Sequence, residues 1–421
     1  MKKRVIIIGG GFAGVNLANS LSNSKNFEII LVDKNNYNFF PPLLYQVATG
    51  FLETSSIAYP FRKLFKGKQN ITFWLGELVE VLQEENKVIL SNGELDYDFL
   101  VFAAGTITNY FGMENLKKNA IPMKTMDDAL NMRNILLQRI EKASKSINLN
   151  EKSELLTIVI VGGGPTGVEL AGMFAEMSKS IIEKEYPEFF NFWDTKIYLI
   201  ENGDEILKPM SVKSKKHALE TLTTMGVDVK LNTGVTDFDG SIVKLTDGNI
   251  IKTKNLIWAA GVTGIKFCGI NDSQYGRGNR LIVDAYNKVV DTENIFAIGD
   301  GCIQENIDKN YPSGHPQVAQ VAIQQGKNLG ENFHAIAKNK KLQHFKYKDK
   351  GSMAIIGKSN AVVDIMKKYH LNGFIALLMW LFIHLNFLVN RNNRFKTFIN
   401  WIIAYITNNQ SLRMIVRPSQ N

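Results

Sequence analysis

The apolar and polar positions of this chain follow one pattern twice. Val5-Ile6-Ile7-Ile8 is a β-branched run that ends in Gly9-Gly10-Gly11-Phe12-Ala13-Gly14, and Val15, Leu17, Ala18 and Leu21 then recur at helical spacing. Val159-Ile160-Val161 runs in the same way into Gly162-Gly163-Gly164-Pro165-Thr166-Gly167-Val168-Glu169. Each predicts a buried strand, a tight glycine turn and a helix start. An acid-tipped apolar strand follows each unit: FEIILVD ending at Asp33, and KIYLIE ending at Glu201. Residues 87–105 (KVILSNGELDYDFLVFAAG) then predict a hairpin and a buried strand ending in Ala-Ala-Gly, and residues 243–261 (VKLTDGNIIKTKNLIWAAG) repeat that plan. The chain therefore reads as an internal repeat, with copies over residues 1–110 and 155–262.

The C-terminal pattern differs. Residues 345–364 return to short strands around Gly351 and Gly357. Residues 374–389 are apolar except for His384 and Asn386, which is short of the roughly 20 residues of a membrane span. Residues 394–407 (RFKTFINWIIAYIT) are amphipathic, with Phe395, Phe398, Ile399, Ile402 and Ile406 on one side and Lys396, Thr397, Asn400 and Thr407 on the other. Residues 36–52 (NYNFFPPLLYQVATGFL) carry no charge and many aromatics, so this loop is expected to be buried or to line an apolar pocket.

With 421 residues, 45% apolar and 21% charged, the chain has room for two or three globular domains. The net charge of +9 matters through its distribution. No Asp or Glu occurs from residue 371 onward, and Arg391, Arg394, Lys396, Arg413 and Arg417 place five of the nine charges there. Beside apolar helices carrying Trp380, Trp401 and Tyr405, that bias points to an anionic lipid surface and an interfacial helix pair. Nucleic acid is the other common reading of basic excess, but no binding motif supports it. Two cysteines, Cys268 and Cys302, make no disulfide framework and suit a reducing compartment. The basic N-terminus before Val5 is not a signal peptide, because its apolar run is only four residues long.

Both glycine turns read G-x-G-x-x-G, the form that lets backbone N–H groups at a helix start approach a pyrophosphate. Asp33, 24 residues after Gly9, is placed to accept from ribose hydroxyls. Glu201 lies 39 residues after Gly162, with the extra length assigned to a helix and loop over residues 179–194. A carboxylate there repels a 2′-phosphate and favours NADH over NADPH. Asp300 ends the segment NIFAIGD, and Gln320 and Gln324 share one face of a helix.

With these residues assembled, the chain resembles the two-dinucleotide-binding flavoproteins, and within them the type II NADH dehydrogenases, which are NADH:quinone oxidoreductases that do not pump protons. The resemblance rests on PLLYQVAT at residues 42–49, GGPTGVELAG at 163–172, WAAGV at 258–262, residues 319–325 and the basic-aromatic tail. It implies an α/β fold with two Rossmann-like domains and a C-terminal amphipathic-helix region anchored to membrane. The implied division is 1–115 and 286–345 for FAD, 116–285 for NADH and 346–421 for the membrane. FAD is expected on Gly9, Gly11, Phe12, Ala13, Gly14, Asp33, Lys34, Thr49, Ala104, Gly105 and Asp300. NADH is expected on Gly162, Gly164, Pro165, Thr166, Gly167, Glu201, Ala260 and Gly261. Quinone is expected at Tyr45, Gln46, Gln320 and Gln324, with Glu169, Gln320 and Gln324 acting in catalysis and no metal. The implied setting is the cytoplasmic side of a bacterial inner membrane, in contact with the quinone pool, and a homodimer through the tail is one assembly this allows.

Three rivals remain at this level. A flavin disulfide reductase or thiol-based NADH oxidase needs a cysteine near the first motif, and residues 1–267 have none. A sulfide:quinone oxidoreductase needs a cysteine pair, for which only Cys268 and Cys302 are available. A non-catalytic redox sensor of NADH and flavin would keep both nucleotide folds and lose turnover.

Overall fold

The computed structural model describes residues 2–179, 183–187, 195–366, 368–407 and 414–415. Most of the 179–194 insertion, Arg413 and Arg417 therefore lie outside the described residues. The chain forms two compact units: Met1–Phe39, Tyr59–Ile107 and Val262–Asp349 in one, and Phe40–Ala58, Thr108–Gly261 and Lys350–Asn421 in the other.

The first unit is built on a parallel sheet with strand order Ile295–Ala297, Phe99–Phe102, Lys3–Ile8, Phe27–Asp33, Ile71–Leu75. Val5 sits between Ile29 and Phe99 in register. Its central strand is buried on both faces, which is why its sequence is a continuous β-branched run without alternation. Val5 and Ile7 face a core shared with the helix Phe12–Ser20 and the helix Ala319–Ile336. These two helices approach closely because Gly326 faces the Ala13 carbonyl, where a Cβ would come within 2.5 Å of the oxygen. Ile6 and Ile8 face the other way, onto Val81, Val88 and Leu90 of a three-stranded antiparallel sheet.

The second unit repeats this plan. Its parallel sheet runs Ile121–Pro122, Asn255–Trp258, Ile158–Val161, Ile197–Ile200, Val227–Lys230, and a three-stranded antiparallel sheet again follows (Val235–Phe238, Ile242–Leu245, Ile250–Lys252). In both sheets the glycine-loop strand is central, flanked by the acid-tipped strand and the Ala-Ala-Gly strand. The repeat read from the sequence is thus present as a repeated topology, and both units are Rossmann-like.

The second unit adds the antiparallel strands Ser352–Ile356, Asn360–Ile365 and Tyr369–Asn372. They pack on the helix Pro165–Met177 at Gly172, where a Cβ would fall on the Gly357 amide. Two helices follow, Gly373–Phe387 and Arg391–Thr407. The uncharged segment expected as a loop instead contains a short helix, Leu44–Ala48, and residues 43–50 are all buried. Apolar burial, not loop chemistry, decides its conformation.

The last helix is oriented against the simplest reading of an amphipathic helix. It turns polar residues inward: Asn393 donates to Ala58 O (2.9 Å), Thr397 to Ser56 O (3.0 Å) and Asn400 to Ser56 Oγ (2.9 Å). Thr397 is 0% exposed, whereas Phe395 is 68% and Phe398 47% exposed. The apolar stripe therefore faces outward, so the helix is not an ordinary core helix. Phe374, Ile375, Leu378 and Phe382 of the preceding helix are exposed as well. Among the described residues no helix is long and apolar enough to cross a membrane.

Candidate functional site

The two glycine loops share one local geometry. Gly9 has φ +105° and a Cβ there would meet the Ala103 carbonyl at 2.5 Å, while a Cβ on Gly14 would strike the Gly9 carbonyl. Gly162 has φ +112° and a Cβ there would meet the Ala259 carbonyl at 2.8 Å, while one on Gly167 would strike the Gly162 carbonyl. The middle glycines differ from these: a Cβ on Gly11 or Gly164 would meet nothing within 4 Å. The turn and the helix–strand contact are filled by protein, whereas the middle position opens outward at the helix start. That is the arrangement a pyrophosphate needs.

Each loop is held by the acid at the tip of the neighbouring strand. Asp33 accepts from Gly10 N and Asn35 N, both at 2.7 Å. Glu201 accepts from Gly163 N at 2.5 Å and Gly203 N at 2.7 Å. Burial raises the Asp33 carboxyl above its ordinary value, against the lowering effect of its two N–H donors and of Lys34. Each carboxylate oxygen keeps a further lone pair for a ribose hydroxyl.

In the first unit the predicted residues come together. Phe12 and Ala13 form the first turn of the helix after Gly11. The turn Gly299–Gly301, which carries Asp300, packs between Ala13 and Gly105: a Cβ on Gly299 would meet the Ala13 Cβ at 3.1 Å, and one on Gly301 the Gly105 carbonyl at 2.9 Å. Ala104 and Gly105 follow the strand Phe99–Phe102 and are half-buried, while Lys34 is exposed. Two residues absent from the sequence reading support this cluster. Asn38 donates to Gly10 O at 2.8 Å, and buried Gln325 accepts from Gly299 N at 2.7 Å through Oε1. Gln325 follows Gln324 directly, and its neighbours Val321, Ala322 and Leu329 on the buried face were the signal available in the sequence.

The same helix carries Gln320 and Gln324, both half-buried. Gln324 is tied at both ends to one backbone residue, donating to Lys348 O and accepting from Lys348 N, each at 3.0 Å.

In the second unit Pro165 and Thr166 open the helix after Gly164, and Ala260 and Gly261 follow the strand Asn255–Trp258. Trp258 beside them is fixed by its N–H to Asn109 O (2.8 Å). Glu169, 7% exposed, sits one turn into the helix. Burial pushes its carboxyl well above the usual range, partly opposed by the Ile355 N–H. Burial of this kind favours the neutral form of a carboxyl. Tyr45 and Gln46 are buried in the same unit, and burial, followed by the Glu169 charge, raises the Tyr45 hydroxyl well above its ordinary value. Thr49 belongs to this cluster too, with its hydroxyl donating to Tyr45 O at 2.9 Å. His384 stacks on Trp380 with centroids 3.8 Å apart, and burial lowers it to about 4, so it is neutral at physiological pH.

The cysteines supply no reactive pair. Cys268 is exposed; Cys302 is buried, donates to Gly299 O at 3.3 Å and is pushed up to about 12 by burial. A thiol this far from ionisation is a poor nucleophile.

Residues 3–326 match the family model for pyridine nucleotide-disulphide oxidoreductases, and residues 350–410 match the NDH2 C-terminal domain. The type II NADH:quinone oxidoreductase Ndh of Mycobacterium tuberculosis is 32% identical, over 96% of this chain and 89% of its own length. NDH2 from Plasmodium falciparum in complex with NADH shares the fold with a TM-score of 0.90 at 24% identity, covering 99% of this chain and all of that one. The sulfide:quinone oxidoreductase of Aquifex aeolicus shares the fold less closely, with a TM-score of 0.75 at 19% identity over 99% of this chain and 96% of its own. Its fold is thus common ground. On sequence over nearly its whole length, on its C-terminal domain and on its paired glycine loops, the chain belongs to the type II NADH:quinone oxidoreductases of the pyridine nucleotide-disulphide oxidoreductase family.

Proposed function

We propose that this protein oxidises NADH and passes two electrons through bound FAD to a membrane quinone. The carrying observation is the matched pair of loops, each with an open middle glycine and a carboxylate closing on the turn. One loop serves each cofactor, and the family resemblance assigns FAD to the first unit and NADH to the second.

The first unit fits FAD. Gly11, Phe12, Ala13 and Gly14 present the helix start to the pyrophosphate, Asp33 with Lys34 takes the adenosine ribose, and Asp300 with Ala104 and Gly105 lies beside the remainder. When bound, FAD supplies the two-electron acceptor that a side chain cannot provide. In the second unit Gly162, Gly164, Pro165, Thr166 and Gly167 hold the NADH pyrophosphate, Glu201 takes its ribose, and Ala260 and Gly261 flank the nicotinamide half. The chain's own work is to hold both dinucleotides and exclude water. Burial favours the protonated forms of Glu169 and Tyr45, and Gln320 is assigned to the quinone oxygen. Gln324 serves it indirectly by fixing the backbone at Lys348.

The quinone is lipid-soluble, and the outward apolar stripes of the last two helices suit it. With Arg391, Arg394 and Lys396 beside them and no acidic residue, these helices favour an anionic bilayer surface, with the protein lying on the cytoplasmic face of a bacterial membrane. An anaerobic titration tests the reading. NADH should bleach the flavin absorbance of the purified protein and a short-chain quinone should restore it. Bleaching by sulfide but not NADH would replace this reading with the sulfide enzyme, and bleaching by neither would leave the sensor.

A further inference from the structure

Trp401, on the helix Arg391–Thr407, is 3% exposed. Its indole N–H donates to Gln46 Oε1 at 2.8 Å, and Gln46 donates through Nε2 to the Tyr45 hydroxyl at 2.8 Å. All three side chains are buried. The direction of this chain is forced, because an indole N–H can only donate. Gln46 must therefore turn its oxygen to Trp401 and its nitrogen to Tyr45. The Tyr45 oxygen accepts, and the Tyr45 proton has no acceptor among the described residues. Beside it lies a second unspent donor: Trp380, with its ring centroid 6.4 Å from that of Tyr45, is fully buried and its N–H has no partner among the described residues. Buried donors are normally satisfied, so two together mark a place for an acceptor.

We infer that Trp401 and Gln46 are positioning residues for quinone binding, and that through them the Tyr45 hydroxyl is held as a hydrogen-bond donor to a quinone carbonyl oxygen. The inference rests on the quinone-reductase reading above and deepens it. Gln46, expected from the sequence to meet the quinone, is held at both ends of its amide and acts by orienting Tyr45. A carbonyl suits the place because it accepts only and carries no charge that would have to be desolvated among these buried side chains. The chain also ties the donor to the outward-facing helix: the same helix that exposes Phe395 and Phe398 sets the Gln46 amide.

Trp401→Phe keeps the ring and removes only the donor. The test measures binding of a redox-inert short-chain quinone analogue to the FAD-loaded protein by equilibrium dialysis, together with KM and kcat for the matching quinone. Trp401→Phe and Gln46→Leu should each weaken analogue binding about 10-fold and raise the quinone KM in proportion, with the NADH bleaching rate unchanged. Tyr45→Phe should do the same, and Tyr45→Phe combined with Trp401→Phe should be no worse than Tyr45→Phe alone, since both act through one hydroxyl. Additive losses, or a Trp401→Phe protein that binds like the wild type, would overturn the relay while leaving the quinone-reductase reading intact. A wild type that neither binds the analogue nor reduces quinone would overturn both.

Discussion

The Glu201 carboxylate accepts the Gly163 N–H at 2.5 Å, across the turn that its own unit uses to start a helix. Asp33 and Gly10 do the same in the other unit. The acid at the strand tip thus fixes the glycine turn in each copy, and in the proposed function it also accepts from a ribose. Removing it should damage the loop and the ligand contact together. Glu201→Ala should raise the KM for NADH about 10- to 100-fold, equivalent to roughly 1.4–2.7 kcal/mol, and narrow the preference over NADPH. Steady-state kinetics with both nucleotides check this; an unchanged ratio would remove Glu201 from the ribose site.

Gln325 holds the turn that carries Asp300. Gln325→Leu leaves the Gly299 N–H buried without an acceptor, at a cost of about 1–3 kcal/mol. The melting temperature should fall and FAD should be released more readily on dilution, which the rise of free-flavin fluorescence reports.

Glu169 gives a pH signature. Its folded carboxyl is raised, so the folded state binds more protons than the unfolded chain once pH exceeds the ordinary carboxylate range. Stability contributed by this site is full below the unfolded pKa and declines as pH rises toward the folded one. Glu169→Gln removes that decline. Melting temperatures from pH 5 to 9 should therefore fall more steeply for the wild type than for Glu169→Gln, and parallel curves would mean that Glu169 is not held protonated.

The exposed apolar stripe predicts a lipid dependence. Phe395→Ser combined with Phe398→Ser should leave the unfolding free energy within about 1 kcal/mol of wild type, because both side chains are largely exposed. Co-sedimentation with anionic vesicles should drop several-fold, while neutral vesicles bind both proteins weakly. Equal binding to anionic vesicles would separate these helices from the membrane.

Much of this was legible in the sequence because it is local. The glycine turns, the acid-tipped strands and the doubled Ala-Ala-Gly ending are short patterns whose geometry follows from sterics, and the repeat followed from seeing them twice. Two things were not legible. Periodicity finds the apolar stripe of residues 394–407 but cannot say which side faces the protein; that depended on Asn393, Thr397 and Asn400 finding partners at Ser56 and Ala58, more than 300 residues earlier. Similarly, adjacent Gln324 and Gln325 look alike as letters. The helix turn places one on the Lys348 backbone and buries the other against the Gly299 N–H, and only the packing around them decides which is which.

The most direct test of the central claim is the stoichiometry of the complete reaction. The purified protein with its flavin, given limiting NADH and excess quinone in oxygen-free buffer with anionic vesicles, should form one quinol for each NADH consumed. NADH oxidation without quinol, or no NADH oxidation at all, would contradict the account.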